Sequence, residues 1–118
     1  MFNKKTIGFY GEDIAENFLI RNGYKILERN LKTGYKEIDI VAMDKEETVF
    51  VEVKTRTSTF SGDAEEALDN RKIKNFKKAV EFYLYKNAFI QNFRLDFIAV
   101  DVDRKNKKAR IKHFKDVI

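Results

Sequence analysis

Asp39 and the triplet Glu52-Val53-Lys54 are the residues of this chain best suited to chemistry, and twelve residues separate Asp39 from Glu52. Asp39 stands in KEIDIVAMD, and Glu52 and Lys54 stand in TVFVEVK, both runs rich in Val, Ile and Phe. A charged side chain inside such a run is costly unless it is paired or holds a metal. In a strand, residues two apart emerge on one face, so Glu52 and Lys54 lie roughly 7 Å apart on the same side. If the two runs pair as a hairpin, Asp39 reaches the same point from the neighbouring strand. Two converging carboxylates, with the backbone carbonyl of Val53 as a further donor, make an all-oxygen site suited to Mg²⁺ or Mn²⁺. A metal held there lowers the pKa of a bound water and offsets charge building on a phosphodiester. Lys54 would orient the attacking water or stabilise the transition state as a point charge. A lone Glu-x-Lys in a strand is more often an ion pair or a solvated sheet face. Asp39 in a central apolar strand is what favours a site.

Composition closes several other routes. There is no Cys, so disulfides, thiolate zinc sites and thiol nucleophiles are excluded. The single His113 excludes a multi-His metal site. Lys and Arg total 24 against 19 for Asp and Glu, a net +5 that favours polyanion partners without establishing nucleic-acid binding. With 118 residues and 43% hydrophobic content, residues 1–118 are expected to form one domain with one packed core. No apolar run approaches the roughly 20 residues needed to cross a bilayer. The N-terminus is charged and lacks the apolar stretch of a signal peptide, so the cytoplasm is the expected location and no membrane partner is expected.

The elements that must position these residues follow from periodicity. Lys5 to Asn22 reads as a helix with Ile7, Tyr10, Gly11, Ile14 and Phe18 at helical spacing, stopped by Asn22-Gly23. Strands are expected over Tyr24–Leu31, Lys36–Asp44 and Thr48–Lys54, with a polar turn at 45–47 joining the last two as an antiparallel hairpin. Ile38, Ile40 and Ala42 should share one face, and Glu37, Asp39, Val41 and Met43 the other. Likewise Val49, Val51 and Val53 should oppose Phe50, Glu52 and Lys54. A polar loop spans 55–62. A helix is expected over Asp63–Asn87, with a break near Asp69-Asn70 and an apolar stripe of Ile73, Phe76, Val80, Tyr83 and Leu84. Phe93–Asp101 reads as a strand buried on both faces, and Ala109–Phe114 as a weak edge strand after a basic turn. Together these give a mixed α/β sheet flanked by helices.

Asp39 with Glu52-Val53-Lys54 resembles the PD-(D/E)XK signature of restriction-endonuclease-like nucleases, with Ile38 where the signature has Pro. The element order resembles that fold's αβββαβ core. Over nearly the whole chain the sequence resembles a family of small bacterial proteins often called YraN, itself similar to Holliday-junction resolvases. The shared residues include Gly11-Glu12 with Ala15, Glu37-Ile38-Asp39, Phe50-Val51-Glu52-Val53-Lys54 with Arg56, and Arg94 with Asp96. The resemblance implies metal ligation by Asp39 and Glu52, with Lys54 as the catalytic lysine. It further implies that Glu12, on the first helix, completes the acidic cluster. It implies a metal-dependent DNA endonuclease, with branched DNA as substrate and a homodimer as the working form. An exposed aromatic patch around Phe89, Ile90 and Phe93 would supply the dimer contact. The competing expectation is an inactive nucleic-acid-binding or protein-interaction module on the same fold.

Other charged residues carry two readings each. Arg56 could contact phosphate or pair with a carboxylate. Lys72, Lys74, Lys77 and Lys78 form either a solvated helix face or a DNA-backbone patch with strong salt dependence. Arg94 and Asp96, on one face of their strand, suggest a structural ion pair, and His113 a surface or edge-strand position.

Overall fold

Asn22 and Gly23 end the first helix by a specific device. Gly23 takes φ +90°, the Tyr24 N–H bonds the Leu19 carbonyl, and the Gly23 N–H bonds that of Ile20, which together close a Schellman cap. A computed structural model describes residues 4–34, 36–57 and 69–118, with side chains from Tyr10 onward. Its elements are α1 (Lys4–Arg21), β1 (Lys25–Thr33), β2 (Lys36–Asp44), β3 (Glu47–Arg56), α2 (Asn70–Lys86), β4 (Phe93–Asp103) and β5 (Lys108–Phe114). The expected loop at 55–62 and the first turns of the expected helix 63–87 fall largely on residues 58–68, outside the described residues. The expected break at Asp69-Asn70 is the start of α2, where the Asp69 side chain caps the helix by accepting from the Lys72 N–H at 2.8 Å.

The five strands lie in chain order, β1-β2-β3-β4-β5. All neighbours are antiparallel except β3 and β4, which run parallel through the α2 crossover. The β2–β3 turn is tighter than expected. Asp44 pairs with Glu47, which leaves only Lys45, at φ +58°, and Glu46 in the loop.

Each face of the sheet carries one helix over a cluster of buried side chains, and a third, smaller cluster joins Phe97 and Ala99 of β4 to Phe114 and Ile118. On the α1 face, Ala15 and Leu19 pack on Ile40, Ala42, Val49, Val51, Ile98 and Val100. On the α2 face, Phe76, Ala79 and Val80 pack on Ile38, Val41, Phe50 and Leu95. Strand β4 is buried from Arg94 to Val100, as its LDFIAV run requires, and β5 is an edge. One expectation fails here. Ile38 joins Val41 and Phe50 and does not share a face with Ile40 and Ala42. The strict alternation of β2 is lost at Asp39, where its backbone pairing with β3 ends.

Arg94 and Asp96 do form the expected structural pair, within a larger hub. Arg94 Nε lies 3.0 Å from Asp96 Oδ1, while its Nη1 reaches Asp44 at 3.0 Å and Glu47 at 2.7 Å, and its Nη2 bonds the Tyr24 hydroxyl. Asp96 is fully buried and also accepts from the Asp116 N–H at 2.9 Å and from His113 Nε2 at 2.7 Å. His113 is therefore an edge-strand residue but not a surface one; its ring packs edge-on to Phe18. Burial pushes the Asp96 carboxyl up, but hydrogen bonds from His113, Asp116 and Arg94 outweigh it and hold it below the ordinary carboxylate value. Stability from Asp96 is thus present above about pH 4, its unfolded value, and is lost as the pH falls through the lower folded value. Removing the carboxylate leaves the Arg94 Nε, the His113 ring and the Asp116 N–H without their shared buried acceptor, so Asp96→Ala is expected to cost about 3–5 kcal/mol, read as a lowered urea midpoint.

Candidate metal and phosphodiester site

The backbone ladder between β2 and β3 runs from Asp44–Glu47 to Ile40–Val51. Beyond that point the Val53 N–H donates to the Asp39 carboxylate at 2.8 Å. A strand N–H lies in the plane of the sheet, so the Asp39 side chain turns into the gap between the strands and takes the place of a backbone partner. Glu52 precedes Val53, and its carboxyl hydrogen-bonds that of Asp39. The two carboxyl groups therefore meet, as the hairpin register requires. Lys54 follows two residues on, on the Glu52 face of β3, opposite Ala99 of β4.

Burial is the largest influence on Glu52, and the Asp39 charge and hydrogen bond add to it, holding its carboxyl far above the ordinary range. Glu52 accordingly keeps its proton at a pH where an ordinary carboxyl has lost it. Lys72, on the first turn of α2, acts on Glu52 in the opposite sense. Glu12 approaches from α1. Burial first, then the Asp39 charge, pushes its carboxyl up to about 7, against opposing pulls from Arg29 and a hydrogen bond with Asn30. Its oxygen is 3.4 Å from Arg29, which also pairs with Asp13 at 2.8 Å. The β1–β2 register sets Asn30, at φ +51°, opposite Asp39, between the Arg29–Ile40 and Leu31–Ile38 pairs.

Sequence reasoning missed Arg29 and Asn30, which hold Glu12 in place; an Asn at the centre of a strand was the available signal. It also missed why residue 11 is glycine. A Cβ there would collide with Oγ1 of Thr55 on β3, so the missing side chain lets α1 approach the sheet beside the site. Gly11→Ala is expected to cost about 1–3 kcal/mol, measured by thermal or urea unfolding, because Thr55 is short and branched and cannot swing away.

Arg56 makes a two-point pair with Asp101 of β4, at 2.8 and 3.1 Å. Its position is thus set by that carboxylate. Lys72 is half-buried and faces the acidic pair electrostatically, whereas Lys74, Lys77 and Lys78 are exposed on the outer side of α2.

Among the described residues no three His, Asp or Glu side chains cluster closely enough to hold a metal ion by themselves. The donor set still fits Mg²⁺ or Mn²⁺, because these ions commonly take one or two carboxylates and fill the remaining positions with water and phosphate oxygens. A carboxylate beside a carboxyl that burial keeps protonated forms a place where a cation can take the position of the Glu52 proton. Among the described residues no helix is long and apolar enough to cross a membrane.

Comparison with known proteins agrees with the fold. A repair endonuclease from Pyrococcus abyssi superposes with a TM-score of 0.52 at 16% identity, over 88% of this chain and 41% of that one. This chain thus spans less than half the length of that enzyme, and the likeness is one of fold. A UPF0102 protein of Syntrophomonas wolfei is 43% identical over 110 residues, covering 92% of this chain and 94% of the relative. One from Caldanaerobacter subterraneus is 46% identical over 99 residues, covering 83% and 81% respectively. With the model of the uncharacterised protein family UPF0102 matching residues 11–100, this α/β chain with a nuclease-like fold belongs to that family.

Proposed function

We propose that this protein is a metal-dependent endonuclease that hydrolyses phosphodiester bonds of DNA. The observation that carries this reading is the meeting of Asp39 and Glu52 at the end of the β2–β3 ladder, with Lys54 on the same face as Glu52. A Mg²⁺ or Mn²⁺ ion bound there supplies Lewis acidity and a water acidic enough to serve as nucleophile near neutral pH. The chain's own residues do the rest. Asp39 and Glu52 hold their carboxylates in one place, with Asp39 fixed by the Val53 N–H. The Val53 carbonyl would supply a further oxygen donor. Lys54 orients the attacking water and offsets charge on the phosphate in the transition state. Glu12 adds negative charge from α1 and strengthens cation binding. Lys74, Lys77 and Lys78 lie on an exposed helix face able to contact the DNA backbone. The cytoplasm, where bacterial DNA is found, is the fitting location.

A second reading, an inactive nucleic-acid-binding or interaction module, is favoured by one observation: the described residues offer two meeting carboxylates and no cluster of three. A cleavage assay on linear, flapped and four-way DNA with Mg²⁺ and Mn²⁺ decides between them. Cleavage that needs the metal and disappears in Asp39→Asn supports the enzyme. Absence of cleavage on every substrate with either metal leaves the module.

A further inference from the structure

The outer stripe of α2 changes character halfway along. Helical spacing aligns Arg71, Lys74 and Lys78 with Phe82 and Tyr85, all of them exposed, and Phe89 continues beyond the helix end. The first half is cationic and begins at the end of α2 whose Lys72 acts on Glu52. The second half is aromatic. Tyr85 is 85% exposed and Phe89 80%, while Lys86 lies over the Phe82 ring at 4.9 Å and brings a cation among the aromatics. Beside Phe89 a notch of about 340 Å³ opens, walled partly by Leu27, Met43 and Tyr83.

From this arrangement we infer that the stripe binds an unpaired strand of nucleic acid, with phosphates on Arg71, Lys74 and Lys78 and bases stacked on Tyr85 and Phe89. Duplex DNA presents phosphates but hides its base faces, so an exposed aromatic has nothing to stack on there. A single strand offers both. A second copy of this chain is the rival occupant, and charge argues against it. The only carboxylate in α2 is Glu81, against Arg71 and five lysines, so closing this face on its own copy would desolvate cations without partners. A polyanion neutralises them. The inference deepens the nuclease reading by naming the form of its substrate, and it rests on that reading only for the choice of nucleic acid.

The test is fluorescence-anisotropy binding with metal chelated, so that cleavage plays no part. The probes are an oligothymidine strand and a blunt duplex of equal length. The parent is expected to bind the single strand more tightly. A Tyr85→Ala/Phe89→Ala variant should weaken single-strand binding by about tenfold or more and leave duplex binding unchanged. Lys74→Ala and Lys78→Ala should weaken both probes and each lower the salt slope by about one. Both aromatic side chains are exposed, and an unchanged melting curve confirms that their variant is folded. Equal binding of both probes, or an aromatic variant that keeps its single-strand affinity, overturns the inference while leaving the nuclease reading in place. Failure to bind either probe overturns the inference and leaves the nuclease reading to the cleavage assay with metal. Dimers in sedimentation that the aromatic variant converts to monomers, with single-strand affinity unchanged, would assign the face to self-association and overturn it as well.

Discussion

Glu52→Gln is expected to melt higher than the parent in metal-free, mildly alkaline buffer and to lose nearly all metal-dependent cleavage. Both results have one cause. In the folded protein Glu52 is pressed against Asp39 in a largely desolvated position, and its carboxyl is held far above the ordinary range. In the unfolded chain it titrates near 4.3. Between those two values the folded state binds a proton that the unfolded state does not. Stability from this group is therefore full below the unfolded value and falls as the pH rises toward the folded one. Gln keeps the shape and the hydrogen bond without a proton to lose. The variant's stability should be flatter with pH, and its melting temperature higher by about 5 °C for each kcal/mol recovered. Added Mn²⁺ should raise the parent's melting temperature and leave the variant's unchanged. Since the ion supplies several kcal/mol to the transition state, cleavage should drop by about 10³-fold or more.

Replacing Lys54 with Met should separate binding from chemistry. Lys54 lies on the Glu52 face of β3 and is not part of the carboxyl pair, so removing its charge should not weaken cation binding. Loss of a cation from the transition state is expected to lower kcat by about 10²–10³-fold at saturating metal. Metal affinity should be unchanged or tighter, because a like charge has left the site. Lys54→Arg should not restore the rate, since a planar fork cannot take the place of a compact ammonium. Single-turnover cleavage with a parallel metal titration reads both quantities. A Lys54→Met variant that loses metal affinity and keeps its rate at saturation would show the lysine to be structural.

Much of the frame was legible because local patterns and the fold agree. The β2 run ends in Asp44 before two polar turn residues, and its limits, Lys36–Asp44, match the expectation. Asp39 and Glu52 could be paired in advance because a short hairpin fixes the register. What happens at Asp39 could not. A side chain that replaces a backbone partner in a sheet leaves no periodic trace, and alternation alone puts Ile38 on the wrong face. The Arg94 hub was half legible. The i, i+2 spacing pointed to Asp96, but Tyr24, Asp44, Glu47, His113 and the Asp116 N–H come from distant segments that only the assembled sheet brings together. Gly11 likewise has its reason in Thr55, a residue on another strand.

Calorimetric titration of the protein with Mn²⁺ near neutral pH, repeated in two buffers of different ionisation heat, is the most direct measurement. One ion should bind and displace the proton held by Glu52, so that the apparent enthalpy differs between the buffers by the heat of about one proton. Asp39→Asn and Glu52→Gln should each abolish the binding. Binding that persists in both variants, or that releases no proton, would contradict a cation site built on these two carboxylates.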